Sequence, residues 1–168
     1  MKPEAHTEDA ENTEKDLNAV SGRIVDAAYL IHTELGPGLL ESVYSVVLAD
    51  ALRAAGLVVE REVPVPIRFR GKVFEEGFRA DLIVEGRVIV ELKSVEQLAR
   101  VHAKQLMTYL RLSGMPLGLL INFGGERLKG NIERIANGNV ADLKGSHGEH
   151  GGHGGRKSDG GKPGQSIL

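Results

Sequence analysis

Three charged residues stand where strands are otherwise apolar. Asp81 follows Ala80 and precedes Leu82-Ile83-Val84, while Glu91 falls between Val88-Ile89-Val90 and Leu92, with Lys93 directly after. Both stretches read as central strands covered on each face. A carboxylate is costly to bury alone, so acids in such strands pair, shift their pKa or hold a metal ion. An internal salt bridge from Lys93 to Asp81 or Glu91 is one solution. It leaves a surplus negative charge, because two acids face one lysine, and a divalent cation would neutralise that surplus.

The turn between the strands decides whether the acids meet. A three-residue loop Val84-Glu85-Gly86, with Gly86 left-handed, pairs Ile83 with Arg87 and Asp81 with Ile89. Asp81, Glu91 and Lys93 then share one face, and a cation between the diagonal carboxylates can close the gap. A two-residue loop Glu85-Gly86 would put the acids on opposite faces, so the metal hypothesis requires an odd loop or a bulge.

Two helical segments border this pair. Glu41 and Tyr44 lie three apart, beside the apolar stripe that includes Leu48; a solvated glutamate at a helix edge is the plain alternative. Leu98, His102, Gln105, Tyr109 and Leu112 share one face of a later helix, an apolar stripe interrupted by three hydrogen-bonding groups. Satisfied polar residues at the core margin would look the same. Taken together, Glu41, Tyr44, His102, Gln105 and Tyr109 are expected to converge on the acidic site.

The elements that must carry these residues follow from periodicity. Leu17, Val20, Ile24, Ala28, Ile31 and Leu35 recur at helical spacing until Gly36-Pro37-Gly38, and a second helix runs from near Leu39 to Gly56. Strands are expected at Leu57 to Val63, Val65 to Phe69, Phe74 to Val84 and Val88 to Lys93, with Pro64 and Pro66 marking an edge or bulge. A third helix spans Leu98 to Leu112, Leu117 to Phe123 is a near-continuous apolar strand, and Leu128 to Ile135 is an optional last one. The order is that of an α/β fold with a central sheet flanked by helices.

Of the 168 residues, 17–144 are expected to form one domain. Residues 1–16 are charged, with no apolar period, and read as a disordered acidic arm. Residues 145–168 hold nine glycines with His147, His150 and His153 and read as a disordered tail. Removing the −4 of residues 1–20 and the +1 of residues 145–168 from the total of −2 leaves +1 for the middle, so a nucleic-acid site must be a local patch. Arg68, Arg70, Lys72, Arg79, Arg100, Lys104 and Arg111 are candidates for it, a solvated surface being the commoner fate of such residues. Aromatic residues at 4% and the absence of Trp argue against a stacking platform for single strands.

The lack of cysteine removes disulfides, thiolate zinc sites and cysteine nucleophiles. No apolar run reaches the roughly 18 to 20 residues that cross a bilayer, and the N-terminus has no signal-peptide core. A cytoplasmic protein with no membrane partner is expected.

Gly38-Leu39-Leu40-Glu41-Ser42-Val43-Tyr44 matches the motif of the GxxExxY proteins. The resemblance continues through Arg79-Ala80-Asp81, Glu91-Leu92-Lys93, His102 to Tyr109 and Gly118 to Phe123, over about residues 20–136. That family resembles the PD-(D/E)XK nuclease superfamily, and Gln105-x-x-x-Tyr109 is similar to the extra motif of its RecB-like branch. The resemblance implies a restriction-endonuclease-like αβββαβ core with a mixed sheet, preceded here by an extra N-terminal helix. It implies Asp81 and Glu91 as Mg²⁺ ligands, with Mn²⁺ able to substitute, Lys93 as the catalytic lysine and Glu41 as the first-helix acid and candidate third ligand. Ala80 stands where the superfamily signature has proline.

A metal-dependent nuclease acting on nucleic acid, DNA in preference to RNA, is the activity implied. The rival is a non-catalytic module that binds nucleic acid or protein on the same scaffold. Intact Asp81, Glu91 and Lys93 count against the rival.

Overall fold

The computed structural model describes residues 5–138. Its elements are α1 (Ala5–Leu35), α2 (Glu41–Ala54), β1 (Val59–Phe69), β2 (Lys72–Val84), β3 (Val88–Lys93), α3 (Arg100–Ser113), β4 (Leu117–Asn122) and β5 (Ile132–Ala136). The strands form one sheet in the order β1-β2-β3-β4-β5. β3 and β4 are parallel, joined through α3, and the other neighbours are antiparallel. This is the mixed sheet flanked by helices that was expected, with α1 as the additional N-terminal helix.

Each sheet face is sealed by a separate apolar cluster. Ile24 and Ala28 of α1 and Leu48 and Leu52 of α2 pack with Leu82, Val84, Val88, Val90, Leu119 and Ile121. On the other face Leu106 and Leu110 of α3 pack with Ile83, Ile89 and Leu120. Burying each such leucine contributes about 1.5–3 kcal/mol. Gly118 lets α3 sit close, since a Cβ there would lie 2.9 Å from Leu106 Cγ.

Two boundaries differ from the sequence reading. Helix α1 starts at Ala5 rather than Leu17, so residues 5–16 are helical instead of the unstructured arm expected. Ala, Glu and Lys are strong helix formers, and acids near a helix N-terminus favour its dipole, so no buried face is needed to extend the helix. Asp16, in this extension, forms an ion pair with Arg87. The stretch read as two strands is one, β1, whose register shifts between Val65 and Ile67 around Pro66. As the edge strand it tolerates two residues without an N–H. The Gly/His-rich tail of residues 145–168 lies outside the described residues. Among the described residues no helix is long and apolar enough to cross a membrane.

Candidate metal centre and active site

The β2–β3 pairing is Leu82 with Val90, Ile83 with Ile89 and Val84 with Val88. The loop is therefore Glu85-Gly86-Arg87, three residues as the metal hypothesis requires, but one position later than expected. The cause is long-range. Glu85 donates its N–H to the Val58 carbonyl at 2.9 Å, and its Oε1 accepts the Val58 N–H at 2.7 Å, which pins Glu85 at the start of the turn. Glu85 and Gly86 both take positive φ, 53° and 61°. Continuing this register places Asp81 opposite Glu91 rather than opposite Ile89.

A second irregularity aims Asp81. Val63, Val65, Phe78 and Ala80 pack on the α3 side of the sheet, whereas Leu82 and Val84 pack on the α1–α2 side. Strict alternation would put Ala80 and Leu82 on the same face. The switch falls at Asp81, across from Glu62, whose φ of 51° departs from strand geometry.

The acids are unequally served. Asp81 Oδ2 accepts the Leu92 N–H at 2.8 Å. Glu91 is only 8% exposed, and its Oε1 is buried with no hydrogen-bond partner. Burial, and then the charge of Asp81, push the Glu91 pKa up to about 8, against the opposing pull of Lys93. The Asp81 pKa is raised as well, by burial first; the Leu92 N–H and Lys93 lower it, and the charge of Glu41 adds to the rise. Lys93 forms no ion pair, for among the described residues the one pair is Arg87 with Asp16. The internal salt bridge that the sequence left open is thus not made.

Glu41 reaches the site from the N-terminus of α2. Its Oε1 accepts the Ser94 N–H at 3.2 Å, and Ser94 Oγ donates to the Leu39 carbonyl at 2.6 Å. The glycine-proline elbow and the chain leaving β3 are in this way tied together. Tyr44 is fully buried, its ring stacked on Phe123 at 4.2 Å. Its hydroxyl donates to the Gly36 carbonyl at 2.6 Å and accepts the Leu39 N–H at 3.3 Å. Tyr44 consequently shapes the loop that presents Glu41. Among the described residues no three His, Asp or Glu side chains cluster tightly enough to hold a metal by themselves.

The α3 residues are engaged elsewhere. His102 Nδ1 accepts the Ala99 N–H at 3.2 Å, which caps the helix. Gln105 donates to the Tyr109 hydroxyl, and Tyr109 stacks on Phe78 of β2 at 3.7 Å. Among the described residues no hydrogen bond joins these three to Asp81, Glu91 or Lys93.

Asn122 is the residue that sequence reasoning passed over. It is fully buried, beside Lys93 in the parallel β3–β4 register. Its Oδ1 accepts the Val95 and Gly124 N–H groups at 3.0 Å each, and its Nδ2 donates to the Val95 carbonyl at 2.9 Å and to Asn131 Oδ1 at 3.1 Å. It fixes the loop that follows Lys93. A lone amide inside an otherwise apolar strand was the available signal.

A central hairpin with an acid on one strand, an acid and a lysine on the next, and a glutamate from the preceding helix forms an acidic centre at one end of the sheet of an α/β fold. A sequence profile of the PD-(D/E)XK nuclease superfamily matches residues 18–135, and the chain belongs to that superfamily. Its fold is accordingly restriction-endonuclease-like, and the superfamily is one of nucleases, which typically use divalent metal ions and act on nucleic acid. No curated protein and no solved structure matches the chain.

Proposed function

We propose that this protein is a Mg²⁺-dependent nuclease, able to use Mn²⁺, that hydrolyses phosphodiester bonds with DNA as the favoured substrate, and that it belongs to the GxxExxY family on the RecB-like branch. The observation that carries this reading is the orphaned, buried Oε1 of Glu91 next to Asp81. A buried carboxylate oxygen without a donor is costly unless a cation takes the donor's place. The donor set is all oxygen and hard, which fits Mg²⁺, an ion commonly held by one or two carboxylates with water completing its shell. Asp81 and Glu91 would hold the ion, with the Leu92 carbonyl as a further donor and Glu41 reaching it through a coordinated water. When bound, the ion supplies charge neutralisation at the phosphate and lowers the pKa of a coordinated water.

The remaining work falls to this chain's own side chains. Lys93, free of any ion pair, is available to orient the attacking water, take its proton or stabilise the developing negative charge. Glu41 keeps the chain after β3 in place through Ser94, and Tyr44 and Asn122 hold the two loops that flank the centre.

The test is cleavage of labelled single- and double-stranded DNA and RNA with Mg²⁺, Mn²⁺ or EDTA, with wild type beside Lys93→Ala. Metal-dependent cleavage lost in the variant supports the reading. Nucleic-acid binding without cleavage in either ion would favour the non-catalytic module.

A further inference from the structure

The β1–β2 hairpin is longer than the sheet it belongs to. The β2–β3 pairing ends at Leu82 with Val90 and β3 itself ends at Lys93, whereas β2 begins at Lys72, so the outer half of β2, about residues 72–78, has no strand on that side. At about 3.3 Å per residue they carry a two-stranded ribbon roughly 20 Å beyond the sheet. It leaves from the end that holds Asp81 and Lys93. The base is anchored, because Phe78 stacks on Tyr109 of α3. Just beyond, the register shift between Val65 and Ile67 bends the ribbon opposite Gly77, where any Cβ would run into the Val65 carbonyl oxygen.

The free end has an unusual surface. Pairing of Ile67 with Phe74 and Phe69 with Lys72 puts these four residues on one ribbon face. Phe69 is 60% exposed and Phe74 45%, so two of the chain's four phenylalanines stand in solvent. Neither stacks on another aromatic residue among the described ones. The turn is Arg70-Gly71, both with positive φ, 49° and 74°, a conformation that favours Asn or Gly at its first position. An arginine sits there instead, its guanidinium 5.2 Å from the centre of the Phe69 ring.

We propose that the end of this hairpin is an arm that grips unpaired nucleotides of the substrate strand several residues away from the scissile phosphate, with Phe69 and Phe74 stacking on bases and Arg70 and Lys72 meeting phosphates. Two exposed rings beside Arg70 and Lys72 select this occupant, with Arg70 covering one face of Phe69 and leaving the other open, and Glu75 the acid nearest Phe74: flat rings beside cations suit a strand whose bases are unstacked. The low aromatic content of the whole chain hid this, since the few rings that exist are concentrated at one exposed point. The inference rests on the nuclease reading for its substrate, and it names single-stranded or splayed nucleic acid as the class.

The experiment measures binding without cleavage, by fluorescence anisotropy in EDTA, of the full chain to single- and double-stranded oligonucleotides of DNA and RNA. The Phe69→Ser/Phe74→Ser variant should lose at least about fivefold in single-strand affinity and little on duplex. Arg70→Gly relieves the turn, so its melting temperature should hold or rise while its single-strand affinity falls. Its slope of log affinity against log salt should flatten by about 0.7. Unchanged single-strand affinity in these variants, equal losses on duplex, or no binding by wild type would each overturn the arm. Cleavage assays of the same variants keep the two ideas apart. Wild-type cleavage with arm-independent binding sinks the arm alone, whereas arm-dependent binding without cleavage in any metal sinks the nuclease reading alone.

Discussion

The backbone N–H of Leu92 donates to Oδ2 of Asp81 at 2.8 Å across the β2–β3 pair. A donor to a carboxylate favours its charged form, and Asp81 has one while Glu91 Oε1 has none. Of the two acids, Asp81 is therefore built to keep its charge, and Glu91 is the one that takes up a proton when no cation is present. This asymmetry comes first from the deeper burial of Glu91 and the charge of Asp81 beside it, with the Leu92 N–H adding to it on the Asp81 side, and it sets the first two predictions.

The metal-free protein should be less stable at alkaline than at mildly acidic pH. Glu91 has a pKa near 8 in the fold against 4.5 as its ordinary value, so between these the folded state keeps a proton that the unfolded state has lost. Its contribution is complete below about pH 4.5 and fades as pH rises through about 8, with a slope of at most about 1.4 kcal/mol per pH unit. Urea unfolding in EDTA at pH 5, 6.5 and 8 measures it. Saturating Mg²⁺ should flatten the decline, and Glu91→Gln should remove it.

Asp81→Asn should leave metal-free stability at pH 8 unchanged or higher, since the amide oxygen can still accept the Leu92 N–H and the repulsion with Glu91 is gone. The rise in melting temperature that Mg²⁺ or Mn²⁺ gives wild type should disappear with it, because a ligand stabilises only the state that binds it. A thermal-shift series beside EDTA reads both signs. Loss of metal-free stability by more than about 2 kcal/mol would contradict the assignment.

Lys93→Met should abolish cleavage and lower metal-free stability at pH 8, where the lysine charge offsets those of Asp81 and Glu91, while leaving stability at pH 5 nearly unchanged, where Glu91 holds its proton. Denaturant midpoints and single-turnover cleavage at matched metal concentration separate the two effects.

Tyr44→Phe keeps the ring on Phe123 and deletes the hydroxyl that bridges Gly36 and Leu39. Stability should fall by about 1–2 kcal/mol. Cleavage should fall further than the folded fraction does, because the loop that presents Glu41 loses its tether. Asn122→Ala removes four hydrogen bonds inside the core and should cost about 2–4 kcal/mol. Circular-dichroism melts and cleavage rates on the same samples compare the two variants.

By itself the sequence determined what depends on near neighbours. Periods of 3.6 and 2 separate the helices from the strands because they record which face of each element meets a core, and an acid in an apolar strand is conspicuous for the same reason. Asp81, Glu91 and Lys93 stood out on those grounds, whereas Glu41 stood out only through the motif Gly38 to Tyr44. Contacts between distant segments decided the rest. Val58 pins Glu85 and so sets the loop that puts Asp81 opposite Glu91; Ser94 captures Glu41; Asn122 holds Val95; and Lys93 stays unpaired although two acids lie close by. Local pattern constrains a side chain to a face, but which donor or acceptor it meets there depends on loop register and on the packing of elements far apart in the chain, and only the folded structure carries that.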